Sequence, residues 1–250
     1  FFVFLSTWNN WPIFELTAEA EAIAGPNKPT EPPKPTVNGA VINGINILLR
    51  FNNPFFFDKA KRIEGIVNVF ETISEEVKDT IEKGDFPLVL AADHSSAGGT
   101  IAGIKKQFPN KRLGAIWIDA HADLHSPYTS PSGNVHGMPL ATALGTDNLD
   151  SAVKEIDEET AELWNQLKNC GGVIPKILPQ DIVFYGVRDT EVPEEDIINR
   201  EGIKNFTVEE TRKKGIQQAC SEGLEILNDC DIIYISFDVD SMDCDLVSMG

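Results

Sequence analysis

Basic residues are scarce in this sequence. Its 250 residues include 21 lysines and arginines against 39 aspartates and glutamates, which gives a formal net charge of −18. A surplus of negative charge repels phosphate backbones and anionic lipid headgroups, so nucleic acid is excluded as an expected partner. The same field suits divalent cations or a small-molecule substrate that carries a guanidinium or amine, although an acidic surface can also serve solubility alone.

Long apolar runs and paired cysteines are missing as well. No apolar stretch reaches the roughly 18 residues of a membrane helix, so no membrane span is expected. The four cysteines form no C-x-x-C pair, and a chain of this size does not need disulfides for its stability. A reducing compartment is therefore favoured, and we expect the protein in the cytoplasm or in an organelle matrix.

The chain divides by composition into two parts. Residues 1–57 combine an N-terminal apolar segment with a Pro-rich linker, and 58–250 are predicted to form one α/β domain. The opening FFVFLSTWNNWPIF is predicted to be a docked strand or a hydrophobic flap, with a degenerate signal remnant as the alternative. Residues 25–39, GPNKPTEPPKPTVNG, should form an extended connector because proline removes amide donors and disfavours helix.

Short apolar runs alternate with helical patterns after this linker. Residues 58–85 place isoleucines, valines and a phenylalanine at helical spacing, which predicts a long amphipathic helix. Near-continuous apolar strands joined by helices are typical of a three-layer α/β/α fold with a parallel sheet. The predicted strands are 86–93, 113–119, 181–187 and 231–240, and the further predicted helices lie around 97–107, 137–146, 154–169 and 207–228.

Acids and histidines collect at the ends of these strands. In DAHADLH (119–125), alternate residues share one face of an extended chain, and the chain must curl for Asp119 and Asp123 to share one metal cluster. Two divalent cations would be balanced by four carboxylates and two neutral imidazoles, and a sulfur-free set of this kind suits Mn²⁺. Two such ions would activate a bridging water for hydrolysis. The six candidate ligands are His94, Asp119, His121, Asp123, Asp238 and Asp240.

Each of these pieces has an ordinary structural explanation when it is taken alone. Aspartates at strand ends often cap the next helix, and Ser95 or Ser96 could cap a helix after Asp93. The position of the histidines favours a metal site instead, because all four lie between residues 94 and 136, in or near strand ends.

The segments AADHS (91–95), DAHADLH (119–125), SGNVHGMPL (132–140) and SFDVDSMD (236–243) resemble, in this order, the ureohydrolase superfamily. The SGN-x-HGMP segment is similar to the arginase branch, whereas agmatinases and formimidoylglutamases usually lack the SGN-x-HG form. The resemblance runs from about residue 58 to 250. It implies two Mn²⁺ per chain and hydrolysis of the L-arginine guanidino group to L-ornithine and urea, with agmatine or another guanidino compound as the alternative substrate.

The resemblance also implies roles for individual residues. Asp119 and Asp238 would bridge the two ions, Asp123 would hold the proton of the attacking water, and His136 would shuttle a proton to the leaving amine. Ser130, Ser132 and Asn134 match positions that bind the substrate α-carboxylate, and Glu191 matches a position that holds the α-amino group. Ordinary turn composition and a surface acid are the respective structural alternatives. Trp117 is expected only to pack in the sheet.

Some positions depart from the family pattern. Ala91-Ala92 replace the usual Gly-Gly or Ser-Gly, which we expect to be tolerated if φ stays negative, and His125 stands where many arginases carry Asn. Cys244 replaces the proline that usually follows SMD. These changes, with the Pro-rich arm, leave open a non-catalytic arginase-like subunit with an assembly role. A homo-oligomer, a trimer or hexamer by resemblance, or a larger assembly is expected.

The end of the chain carries one more expectation. Related arginases continue beyond the SFDVDSMD motif and add a late glutamate that binds the guanidinium, whereas this sequence stops at Gly250. We therefore expect the C-terminal part of the domain to be missing from this chain or supplied by another chain. Loss of a charge-assisted hydrogen bond to the guanidinium would make hydrolysis by this chain alone weak or absent.

Overall fold

The computed structural model describes residues 60–243 together with the backbone of three strands that precede them. The strands are β1 Phe2–Thr7, β2 Asn38–Ile42, β3 Ile45–Leu49, β4 Phe86–Leu90, β5 Leu113–Ile118, β6 Ile182–Tyr185, β7 Lys204–Phe206 and β8 Ile232–Phe237. The helices are α1 Ile63–Glu82, α2 Ser96–Gln107, α3 Pro139–Leu144, α4 Glu158–Asn169, α5 Val192–Glu201, α6 Val208–Lys214 and α7 Ile216–Ile226.

The strands form two sheets. The larger sheet has the order β1-β8-β5-β6-β7, in which β8, β5, β6 and β7 are parallel and β1 pairs antiparallel with β8. The smaller sheet has the order β2-β3-β4, with β4 parallel to β3 and β2 antiparallel to β3. The predicted α/β fold with a parallel sheet is confirmed, and the antiparallel strands at the edges are an addition to it.

Successive side chains of each strand in the larger sheet point to opposite faces, and both faces are apolar. Helices therefore cover both faces of this sheet. Trp117, Phe184 and Tyr234 point to one face and pack in the same core cluster as residues of α1 and α2. Val183 and Ile233 point to the other face and pack with residues of α7. These packed layers hold the carboxyl ends of the strands in fixed positions.

Helix α2 lies unusually close to α1, and glycine permits this approach. A Cβ added at Gly98 would lie 2.3 Å from Phe70 Cζ, and one added at Gly103 would lie 2.6 Å from the Ser74 carbonyl oxygen. Since α2 begins at Ser96, two residues after His94, its packing against α1 sets the position of that histidine.

Strands β2 and β3 were not predicted, and two regions after residue 60 also differ from the sequence-based expectation. The helix predicted over 207–228 is two helices, because Gly215 adopts φ 91° and ψ 142° between α6 and α7. Helix α5 and strand β7 were not predicted, since their short patterns lie between stronger signals.

The N-terminal part of the sequence pairs with the domain. The backbone of β1 lies beside β8, in agreement with a docked strand, and β3 lies beside β4. The rest of the aromatic opening and residues 25–37 of the Pro-rich linker lie outside the described residues. The division at residue 57 stays a prediction. Among the described residues, no helix has the length and apolar character needed to cross a membrane.

Candidate metal centre and substrate pocket

Two neighbouring strand ends place acids side by side. Ile118 of β5 pairs with Phe237 of β8, so the next residue on each strand is an aspartate, Asp119 or Asp238. The Asp238 amide donates to the Ile118 carbonyl at 2.8 Å and extends the pairing by one step. Parallel pairing in register therefore brings Asp119 and Asp238 together at the carboxyl edge of the sheet.

The chain turns back immediately after Asp119. The Asp119 carboxylate accepts a 2.8 Å hydrogen bond from the His121 amide, and Asp123 adopts a left-handed φ of 54°. Left-handed backbone is uncommon outside glycine, although aspartate tolerates it better than most residues. The curl that the spacing of DAHADLH required is present, and it returns the Asp123 carboxylate to the cluster.

His94 lies at the centre of three carboxylates. Its Nδ1 is 2.7 Å from Asp123 Oδ2 and 3.1 Å from Asp119 Oδ2. The same nitrogen is 3.3 Å from Asp238 Oδ2. On the other side of the ring, Nε2 lies 2.8 Å from the Ser236 hydroxyl. A neutral His94 that donates Nε2–H to Ser236 presents the lone pair of Nδ1 to the carboxylate side, as a metal ligand must.

His121 lies at the centre of a second group of acids. Its Nδ1 is 3.1 Å from Asp240 Oδ2 and 3.6 Å from Asp119 Oδ1. Within the described residues, the ligand atoms of His94, Asp119 and Asp238 lie within 4.8 Å of one another, and so do those of Asp119, His121 and Asp240. The two groups share Asp119, as expected for a residue that bridges two ions. The bridging role of Asp238 stays a prediction.

These residues fit a pair of divalent cations. The Oδ2 atoms of Asp119 and Asp123 are buried and, among the described residues, have no hydrogen bond of acceptable geometry. One Nδ1 atom carries at most one hydrogen, so it cannot satisfy three surrounding carboxylates. Buried carboxylates without such partners are costly unless they bind cations. Oxygen ligands with imidazole nitrogen suit Mn²⁺.

The pKa values in this cluster reflect strong interaction among its groups. Burial opposes protonation of His94, but the carboxylates of Asp123, Asp119 and Asp238 outweigh it and raise its pKa well above the ordinary value. The neighbouring Asp119 carboxylate raises the pKa of His121 to about 9, with a further contribution from Asp240. Desolvation raises the pKa of Asp123, since the fully buried carboxylate loses its water.

A pocket of about 440 Å³ opens beside the cluster. Its wall includes all of the predicted substrate-binding and proton-transfer residues, namely Ser130, Ser132, Asn134, Glu191 and His136. His136 lies on a single turn of 3₁₀ helix, Val135–Gly137, and its side chain is exposed. It belongs to neither ligand group, which separates it from the metal centre. Ala92 also lines the pocket, and neither Ala91 nor Ala92 has a positive φ, as expected.

Glu191 has a structural role in addition to its place in the pocket. It is the N-cap of α5, where its side chain accepts from the Glu194 backbone and the Glu194 side chain accepts from the Glu191 amide. The Glu191 side chain is nevertheless 51% exposed toward the pocket. A reciprocal capping arrangement of this kind fixes both carboxylates relative to the helix.

Several residues of the site were not identified as functional from the sequence. Glu194 is buried and its Oε1 accepts from the Leu124 amide at 3.1 Å. Asp189 Oδ2 lies 3.6 Å from His121 Nε2. Trp117, predicted only to pack, is buried and stacks on the His94 ring at a centroid distance of 4.5 Å. Ser236 could have been found from SFDVD, since it shares a strand face with Asp238.

Known proteins resemble this chain in sequence and in structure. The chain is 37% identical to the arginase of Bacillus subtilis (strain 168) over 186 residues, which are 74% of this chain and 57% of that protein. The crystal structure of Bacillus cereus arginase matches with a TM-score of 0.66 and 35% identity, over 76% of this chain and 60% of that chain. The crystal structure of Entamoeba histolytica arginase in complex with L-ornithine matches with a TM-score of 0.59 and 29% identity, over 79% of this chain and 62% of that chain.

The residues that build the candidate metal centre and the pocket lie between Ala92 and Asp240, inside the range that the family model matches. This chain spans a little under three fifths of the curated relative from Bacillus subtilis. The model of the Arginase family matches residues 49–248. The chain belongs to the arginase family.

Proposed function

We propose that this protein hydrolyses the guanidino group of L-arginine to L-ornithine and urea, with two Mn²⁺ ions held by the six predicted ligands. The observation that carries the proposal is the pair of ligand groups that share Asp119 at the edge of the sheet. The similarity to proteins named arginase supports the choice of reaction and substrate. The relatives are longer than this chain, so the activity of the whole protein is part of the proposal.

The chemistry requires an activated water and an acceptor for its proton. Two divalent cations in this site would supply a water that is already acidic enough to attack at neutral pH. Asp123 is the residue that we assign to hold the proton of this water, because its carboxylate is buried within the cluster and its Oδ2 lies 2.7 Å from His94 Nδ1.

The leaving amine also needs a proton. Attack of the water oxygen on the guanidinium carbon is followed by cleavage of the bond from that carbon to the side-chain nitrogen, and the departing ornithine amine must be protonated. His136 serves this step, because it lines the pocket outside both ligand groups and its exposed imidazole can exchange protons with solvent.

The loop before His136 is suited to a carboxylate. The Ser130 hydroxyl oxygen accepts from the Gly133 amide at 3.0 Å, and the Ser132 hydroxyl oxygen accepts from the Asn134 amide at 3.2 Å. Each hydroxyl oxygen accepts from a backbone amide, and the two hydroxyl oxygens lie 3.5 Å apart, so at least one of them keeps its hydrogen for donation to a ligand. Together with the Asn134 amide group, these donors would bind the substrate α-carboxylate. Glu191 on the other side of the pocket would bind the α-amino group.

Urea release by the Mn²⁺-loaded protein tests this function, and release by this chain alone is expected to be weak. The urea released from L-arginine should be much greater than the urea released from agmatine, which lacks the α-carboxylate. The variant Asp119→Asn should lose both bound Mn²⁺ and urea release, whereas Asp229→Asn should keep them, since Asp229 is 78% exposed. Urea release that does not depend on Mn²⁺, or equal turnover of agmatine, would overturn the proposal.

A further inference from the structure

The substrate pocket has two walls that come from separate parts of the chain. The loop wall is formed by the segment 125–134, which contains Ser130, Ser132 and Asn134. The helix wall is formed by the N-terminus of α5, which carries Glu191 and Glu194. An α-amino acid has its carboxylate and its amine on the same carbon, so its recognition depends on the distance between these walls.

Direct contacts to the helix wall come from the start of the loop wall and from the residue before it. The amide of that preceding residue, Leu124, donates to Glu194 Oε1 at 3.1 Å. His125 Nε2 lies 3.5 Å from a carboxylate oxygen of Glu191 and of Glu194 and makes no hydrogen bond of acceptable geometry to a described residue. These contacts leave the outer part of the helix wall without a direct hydrogen bond to the loop wall among the described residues.

The segment 146–153 joins the two walls on their outer side. On the loop side, the Ser126 hydroxyl donates to the Asp147 carbonyl at 2.6 Å, and the Val153 amide donates to the Tyr128 carbonyl at 3.0 Å. On the helix side, the Asn148 side-chain amide donates to the Pro193 carbonyl at 2.8 Å. The segment is therefore a hydrogen-bonded bridge from one wall to the other.

Asn148 has the features of a residue fixed for this contact. It is buried, with 6% exposure, and it adopts a left-handed φ of 49°. Asparagine tolerates this backbone conformation better than most residues. Pro193, its acceptor, lies between the two acids of the helix wall. A shift of this carbonyl would move Glu191 and Glu194 together, because their reciprocal cap makes them one unit.

We propose that Asn148 is a positioning residue that fixes the spacing between the loop wall and the helix wall, and thereby the fit of an α-amino acid headgroup. This deepens the proposed function and rests on it for the nature of the ligand. The hydrogen-bonded bridge itself is independent of any activity.

The test compares variants of the 250-residue chain loaded with Mn²⁺. Asn148→Asp removes the donor at nearly constant shape, and Asn148→Gly removes the side chain while keeping the left-handed backbone accessible. The matched control is Asn169→Asp, since Asn169 donates to the Asn165 carbonyl at 2.7 Å on an exposed surface of α4, away from the pocket lining. Two measurements are made, amide hydrogen exchange by mass spectrometry and the dissociation constant of L-ornithine by calorimetry.

Both Asn148 variants should show faster exchange in peptides that cover 188–201, with peptides of α2 unchanged, and unaltered Mn²⁺ content. Their affinity for L-ornithine should fall roughly 2- to 10-fold, the effect of one neutral hydrogen bond. The Asn169 variant should match the wild-type protein in both measurements. The Ser151 hydroxyl of the same segment also donates to Asp196 Oδ2 of α5 at 2.7 Å, so unchanged exchange in 188–201 would overturn the part of Asn148 in the bridge. Faster exchange without loss of ornithine affinity would overturn the positioning role. A wild-type protein that does not bind L-ornithine would overturn the proposed function, while the exchange result would still decide on the bridge.

Discussion

At the scale of single residues, the metal centre depends on how its histidines are oriented. His94 is held by the Ser236 hydroxyl on one side and by the Trp117 ring beneath it. These contacts orient the ring so that Nδ1 faces the carboxylates. The cluster therefore has a ligand already in place before a cation arrives.

Removal of the Ser236 hydroxyl should weaken metal binding. In Ser236→Ala, Nε2–H of His94 loses its acceptor, and loss of such a contact typically reduces metal affinity by about 10- to 100-fold. Mn²⁺ affinity can be measured by titration against a competing chelator. Ser221→Ala on the exposed surface of α7 is the control and should bind Mn²⁺ as the wild-type protein does. Equal affinity of Ser236→Ala and wild type would contradict the role assigned to the hydroxyl.

The charge state of His121 predicts a pH effect on the metal-free protein. Its pKa is raised to about 9 from an ordinary value of 6.5, chiefly by the neighbouring Asp119 carboxylate. The stabilisation from this charged form is fully present below pH 6.5 and is lost as the pH rises through 9. His94 has a raised pKa and acts in the same direction.

Metal-bound histidines are neutral, so the Mn²⁺-loaded protein should not show this loss. The increase in melting temperature caused by Mn²⁺ should therefore grow between pH 6.5 and 9. Differential scanning fluorimetry with Mn²⁺ or with a chelator measures this difference in melting temperature, and His121→Asn should make it less dependent on pH. A difference that shrinks as the pH rises would contradict the predicted direction of the pH effect.

At the scale of secondary-structure elements, the contact of α1 with α2 positions the first ligand. The glycines of α2 allow backbone to approach backbone, and His94 lies just before this helix. A side chain inserted between the helices would force them apart and strain the turn that carries His94.

A pair of glycine substitutions tests this packing. In Gly103→Ala the new methyl group would lie 2.8 Å from Val77 Cβ, so the free energy of unfolding should fall by about 1–3 kcal/mol. Gly65→Ala is the control, because nothing lies within 4 Å of its added Cβ and alanine favours helix by about 0.5–1 kcal/mol. Urea denaturation measures both. Equal effects of the two substitutions would show that α1 and α2 do not pack closely.

Elements with a strong apolar period were predictable from the sequence. The helix predicted over 58–85 is found as Ile63–Glu82, and the four apolar runs after it are strands. Helix α5 was missed because its N-cap is Glu191 and its apolar positions are few, so the capping box was visible only in three dimensions. The break at Gly215 depends on a positive φ that a single glycine permits but does not reveal in advance.

The candidate site was predictable where the chemistry lies at strand ends. All six candidate ligands lie close together, because parallel strands end at the same edge, while their role as metal ligands stays a prediction. Supporting residues such as Ser236 and Asn148 were not predicted as functional, since serine and asparagine are common in strands and turns. Their roles depend on which atoms they reach across the fold.

At the scale of the whole molecule, the candidate metal centre is built from residues that follow strands of two different sheets. His94 follows β4 of the smaller sheet, whereas Asp119 and Asp238 follow β5 and β8 of the larger sheet. Their side chains meet within 3.3 Å at His94 Nδ1. Cations bound between them would hold the two sheets together and neutralise part of the net charge of −18.

The most direct test of this account is anomalous diffraction at the manganese absorption edge from crystals grown with Mn²⁺. Two peaks are expected, one beside His94 and Asp238 and one beside His121 and Asp240, with Asp119 between them. In crystals of Asp119→Asn both peaks should be lost or strongly reduced, while Asp229→Asn should leave them unchanged. No anomalous density at this edge of the sheet, in crystals that show Mn²⁺ elsewhere, would contradict the assignment of a binuclear metal centre.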